Sequence, residues 1–161
     1  KLDKRLIGWD EILEGGLAPG AIVQSWRGMD GGIVAANAKH EVIMSPTSHA
    51  YFDYYQSEDR DKEPLAIGGF LSLEKVYQFE PIPDDIEPEK IKYILGGQGN
   101  VWTEYINTPQ KVEYMAIPRM SAMAEVLWSK KSDRDFESFK ERMKWQYKRL
   151  DLMKVNYRKE S

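Results

Sequence analysis

The sequence predicts an α/β fold of parallel strands and connecting helices, and more narrowly half of a (β/α)8 barrel, on three observations. Four short apolar runs punctuate the chain, helical stretches separate most of them, and each run ends in polar or aromatic side chains. Strands joined by helical crossovers pair in parallel. In an eight-stranded barrel the carboxyl ends of the strands converge on the binding face, so special residues gathered there point to that architecture. A closed barrel takes about 250 residues, and the 161 present are too few to close one.

The first run is Arg5–Ile12, ended by glycines and Pro19. The second is Ala21–Trp26, and the small residues of Gly31–Lys39 suit a helix packed close to a sheet. The third, Glu41–Ser45, stops at Pro46, and Tyr51–Tyr55 follows before a charged loop at Ser57–Pro64. Leu73–Tyr77 reads as a short helix and Pro88–Ile91 as a helical turn. The fourth run is Tyr93–Leu95, continued past Gly96, Gly97 and Gly99 by Val101–Ile106. Asn107-Thr108-Pro109 places a cap donor before a proline, so a helix starts there and runs toward Trp128, kinked at Pro118. Ser132 or Asp133 caps the last helix, whose apolar positions Phe136, Phe139, Met143, Leu150 and Met153 recur at helical spacing. The chain divides into a half-barrel at 1–131 and a C-terminal helix at 132–161, one partial domain in all.

Composition removes several classes of function. A net charge of −3 lacks the basic face of a nucleic-acid binder. No apolar run approaches the ~18 residues of a membrane span. The absence of cysteine excludes disulfides and thiolate metal sites. Gly96-Gly97-Gln98-Gly99 lacks the third glycine of a dinucleotide loop and the lysine of a phosphate loop. His40 and His49 have no partner at metal-ligand spacing, and no nucleophile elbow supports a triad of Ser25, His49 and Asp53. Five tryptophans and nine tyrosines remain, more than a plain core of this size needs.

Those aromatics sit where a ligand would. Trp9, Trp26 and Trp102 close three of the runs, and indoles at neighbouring strand ends wall a pocket suited to stacking on a sugar. Tyr51 and Asp53 are two apart, which in an extended segment puts a phenol donor and a carboxylate acceptor on one face. Trp102 and Glu104 repeat that spacing. Asp10 and Glu11 are adjacent, so on a strand they face opposite ways, and a salt bridge or helix cap fits them better than catalysis. Arg119, Met120, Met123 and Trp128 read as helix packing, with Glu125 available to Arg119 or another base.

Taken in order, G-W-D-E-I, V-Q-S-W-R-G, Y-F-D-Y-Y and G-G-Q-G-N-V-W-T-E resemble the β-N-acetylhexosaminidases of glycoside hydrolase family 20, with A-I-P-R-M-S-A-M-A-E-V-L-W-S extending the likeness over nearly the whole chain. The resemblance implies a TIM (β/α)8 barrel of which this chain supplies strands five to eight. It implies hydrolysis of terminal non-reducing GlcNAc or GalNAc by a retaining, substrate-assisted route. Trp9, Trp26 and Trp102 would then surround the −1 sugar and its acetamido arm, Tyr51 would position the acetamido oxygen, and Asp53 and Glu104 would accept from O4 and O6. Arg27 would serve a structural pair. The family's Asp-Glu pair would lie before Lys1, so the expectation is a chain that is inactive without it.

The implied partners are N-acetylhexosamine-containing glycans and the missing N-terminal half of the barrel; no metal or cofactor is implied. A secreted or periplasmic location is the family's expectation. Between Asp53 and Trp102 no tryptophan occurs, leaving Phe70 or Tyr77 to meet a +1 sugar. Two other readings stand beside this one: a non-catalytic carbohydrate-binding half-barrel, and a structural fragment that self-associates through open strand edges.

Overall fold

The computed structural model describes residues 4–159, so Lys1 and the last two residues of the expected C-terminal segment lie outside the described residues. The chain divides into two compact units, one of residues up to Ala50 with Glu80–Gln98, the other of Tyr51–Phe79 with residues from Gly99 on.

The first unit carries the sheet. Strands β1 (Ile7–Trp9), β2 (Ile22–Ser25), β3 (Val42–Met44) and β4 (Ile94–Gly97) lie in sequence order and pair in parallel throughout. Val23, Val42 and Met44 are fully buried, which is why these short runs are apolar rather than alternating. Helix α1 (Asp30–Asn37) joins β2 to β3, and a four-residue helix α2 (Thr47–Ala50) follows β3. The small residues of α1 have the expected purpose. A Cβ on Gly32 would lie 2.5 Å from Met44 Cε and 3.1 Å from Val42 Cγ1, so glycine lets the helix sit against the sheet without displacing these side chains.

The second unit is helical: α3 (Leu73–Tyr77), α4 (Pro109–Ala116), α5 (Arg119–Trp128) and α6 (Phe136–Leu152). Thr108 caps α4 by accepting from Lys111 N at 3.2 Å, with Pro109 at the first position, as its sequence signature predicts. The kinked helix expected across Pro118 is instead two helices, because proline has no N–H to carry the ladder across the junction. The cap of α6 is also corrected. Ser132 and Asp133 belong to a separate 3-10 turn, and Asp135 accepts from Ser138 N at 2.6 Å. Phe139, Met143 and Leu150 are buried on the inner face of α6, each worth about 1.5–3 kcal/mol of apolar burial, whereas Met153 lies past the helix and is exposed.

The stretch 101–106 is not a strand. β4 ends at Gly97 after Gly96 adopts a φ of 137°, and Asn100 keeps only a single bridge to Tyr51. Trp102 and Glu104 therefore sit on a loop and turn, and Tyr51–Tyr55 forms a turn between two isolated bridges rather than an extended run.

Candidate functional site

In the first unit, Trp9 closes β1 opposite Gln24 of β2, and Trp26 follows β2 directly. Both indoles are half-buried. The chain turns straight after Trp9 into a 3-10 helix, Asp10–Leu13, which corrects the expectation that the adjacent carboxylates face opposite ways, while the expected salt bridge forms between Asp10 and Arg27. On that turn the strand alternation no longer applies, and both acids reach the end of β2. Asp10, 2% exposed, accepts from Trp26 N at 3.1 Å, Arg27 N at 3.3 Å and Arg27 Nε at 2.7 Å. Glu11 accepts the single Trp26 Nε1–H, shared between its two oxygens at 3.0 and 3.1 Å, which fixes the plane of that indole. Arg27 also meets Glu14 at 3.2 Å, so its role is the structural pairing foreseen, and its carboxylate partners raise its pKa.

Ser25 holds the loop that follows. Its hydroxyl donates to Gly28 O at 2.8 Å and accepts from Gly32 N at 3.0 Å, which ties the loop to the start of α1. His40 meets Ala21 O at 2.9 Å and His49 meets the Oγ of its neighbour Ser48 at 2.8 Å.

In the second unit, Tyr51, Asp53, Trp102 and Glu104 come from two loops linked by the Tyr51–Asn100 bridge and by Phe52 N donating to Asn100 O at 2.7 Å. Gly99 permits this contact: a Cβ there would lie 2.5 Å from the Phe52 ring. Tyr51 is buried with its ring 5.7 Å from that of Tyr54. Trp102 is 39% exposed.

Asp53 is the chemically unusual group. It is 5% exposed, and its Oδ1 has no hydrogen-bond partner among the described residues. Burial pushes its pKa up to about 6; its own backbone N–H opposes the rise, the charge of Glu104 adds to it, and that of Arg119 opposes it. The charge of Glu104 thus reaches Asp53 through space.

Of the two bases left open for Glu125, the structure selects the other one: Glu125 binds Arg142 at 2.5 Å and accepts from Tyr77 Oη at 2.7 Å, while Arg119 is engaged elsewhere. Arg119 is fully buried and donates to the carbonyls of Phe52, Met115, Tyr54 and Leu71. The available signal was a cation flanked at helical spacing only by Met115, Ala116, Ala122 and Met123, with no acid among them. Tyr77 is corrected as well. It is buried and also accepts from Asp135 N at 3.0 Å, so of the two rings suggested for a +1 sugar only Phe70, 45% exposed, faces outward.

The catalytic-domain model of glycosyl hydrolase family 20 matches residues 1–131. A β-hexosaminidase of Porphyromonas gingivalis is 51% identical over 158 residues, covering 98% of this chain and 20% of that protein. A β-N-acetylhexosaminidase of Cellulomonas fimi is 35% identical over 146 residues, 87% of this chain and 28% of its own length. Among solved structures, the family-20 exo-β-N-acetylglucosaminidase of Vibrio harveyi in complex with N-acetylglucosamine superposes with a TM-score of 0.84 at 35% identity, over 97% of this chain and 25% of that one. The N-acetyl-β-hexosaminidase of Streptomyces plicatus in complex with thio-NAglucal gives 0.85 at 25% identity, over 98% of this chain and 32% of that one. The chain thus spans between a fifth and a third of the length of these relatives. The parallel sheet with its helices is part of a TIM barrel, as the alternation of runs and helices implied. Motif order, strand topology and these matches agree, and the chain belongs to glycosyl hydrolase family 20.

Proposed function

We propose that this chain supplies the terminal-sugar subsite of a retaining β-N-acetylhexosaminidase that removes GlcNAc or GalNAc from glycan or chitooligosaccharide ends. The observation that carries the reading is the buried Asp53, one oxygen open and electrostatically linked to Glu104, on the loop that also bears Tyr51. A carboxylate held dry with an unused acceptor is what a sugar hydroxyl completes, because the bound hydroxyl restores the missing hydrogen bond.

In this reading Asp53 and Glu104 accept from O4 and O6 of the non-reducing sugar. Trp102 offers its face to the ring, and Trp9 and Trp26 are assigned to the same sugar by the family likeness. The Tyr51 hydroxyl donates to the acetamido carbonyl oxygen. That oxygen attacks the anomeric carbon as the glycosidic bond breaks, and the leaving oxygen takes a proton from an acid that none of these residues supplies. Tyr51 thereby aligns the nucleophile that the substrate itself carries.

Tyr51→Phe in the full-length protein tests this. Loss of one positioned donor is expected to lower kcat on an aryl β-N-acetylglucosaminide about 10–100-fold while KM changes little. A kcat within about twofold of the parent would remove Tyr51 from the mechanism.

One further feature bears on partners. β1 is an edge of the sheet, with Leu6 56% and Ile7 50% exposed. An exposed apolar strand edge invites pairing, so the remaining strands of a full barrel belong there, and the isolated chain is expected to self-associate. A strict monomer by light scattering would contradict that.

A further inference from the structure

We infer that Arg119 is a positioning residue for the sugar-binding carboxylate of Asp53, gripping the backbone on both sides of it from inside the fold. The inference rests on the reading of Asp53 as a sugar acceptor.

The geometry is specific to that position. Arg119 Nη2 donates to Phe52 O at 2.6 Å and Nη1 to Tyr54 O at 3.1 Å, the carbonyls flanking residue 53. The same nitrogens donate to Met115 O at 2.6 Å and Leu71 O at 3.0 Å, tying the 52–54 turn to helix α4 and to the segment before α3. The turn has little regular pairing of its own: Tyr54 N reaches Tyr51 O at 3.4 Å, and Phe52 N has its single bond to Asn100. The guanidinium also lies over the Phe52 ring, 5.4 Å from its centroid.

A fully buried cation whose hydrogen bonds run to carbonyls is an expensive way to brace a loop. Burial pushes its pKa down to about 9, with Glu63, Asp53 and Tyr114 opposing and Arg158 reinforcing, so it remains charged at neutral pH. That charge also acts on Asp53. Against burial and the repulsion of Glu104, Arg119 favours the ionised form of Asp53, the form that accepts hydrogen bonds from hydroxyls with both oxygens. The groups facing Asp53 are Glu104, Arg119 and Tyr54, whose phenol is raised first by burial and then by Asp53. The charged groups facing Arg119 are Asp53, Glu63 and Arg158.

The experiment is calorimetric titration of the full-length protein with N-acetylglucosamine from about pH 5 to about pH 8, in the parent, Asp53→Asn, Arg119→Lys, Arg119→Gln and the Asp53→Asn/Arg119→Lys double variant. In the parent, affinity falls as pH drops through about 6, because Asp53 takes up its proton there. Asp53→Asn binds weakly with a flat profile. Lysine keeps the charge but has one nitrogen for four carbonyls, so Arg119→Lys is expected to bind about tenfold more weakly at neutral pH. Arg119→Gln removes the charge and moves the acid limb upward. In the Asp53→Asn background the lysine change costs little, since it acts through Asp53. Parent-like affinity and an unmoved acid limb in both Arg119 variants, with Asp53→Asn still weak, would overturn the role of Arg119 alone. Parent-like binding by Asp53→Asn would overturn the reading beneath it.

Discussion

Asp10 and Asp53 are both almost wholly buried, yet their oxygens are used in opposite ways. In the first unit, Asp10 receives two backbone N–H groups and the Arg27 guanidinium. In the second, Asp53 keeps an oxygen with no partner among the described residues, and burial raises its pKa. Glu11, at the surface, is engaged as well: its carboxylate receives the single N–H of the Trp26 indole. A carboxylate with its lone pairs occupied shapes the fold. One left dry and incomplete costs stability that a ligand restores.

That contrast is tested most strongly at Asp10. Asp10→Ala orphans the amides of Trp26 and Arg27 at the end of β2, and denaturant unfolding is expected to show a loss of about 2–3 kcal/mol. A loss below about 0.5 kcal/mol would deny Asp10 its structural role.

Asp53→Asn is expected to go the other way. The folded pKa of about 6 lies above the ordinary value of about 3.9, so the favourable contribution of Asp53 is full below about pH 4 and is lost as pH rises through about 6. Ionised Asp53 therefore destabilises the fold at about pH 8, and its replacement by asparagine is expected to stabilise by about 1–2 kcal/mol there and to be neutral near pH 4. Thermal unfolding at the two pH values measures this, and destabilisation at both would show Asp53 to be a structural carboxylate like Asp10.

The smallest effect concerns Glu11. Glu11→Gln replaces a charged acceptor of the indole N–H by a neutral one, for a cost of about 0.5–1 kcal/mol and a shift in tryptophan emission. An unchanged spectrum would mean that the carboxylate does not set the Trp26 rotamer.

Much of the fold was legible because its signals are local. The apolar runs marked the strands, Thr108-Pro109 marked the start of α4, and the small residues of α1 announced close packing on Met44. What was not legible depended on where strands stop. Trp9 ends β1 and the chain turns at once, so Asp10 and Glu11 escape the alternation that a longer strand would impose. Gly96 ends β4 early and sends Trp102 and Glu104 onto a loop. Asp53 could be nominated from its neighbour Tyr51, but its open oxygen is a property of the packed turn. Arg119 was hidden for a related reason: its partners are carbonyls, which every residue has, so no spacing of side chains reveals them.

A crystal structure of the full-length protein with N-acetylglucosamine bound tests the central claim most directly. The account predicts a sugar hydroxyl donating to Asp53 Oδ1, with Asp10 still bound to Arg27 and to the amides of Trp26 and Arg27. A sugar held without Asp53, with that oxygen satisfied by a protein group, would contradict it.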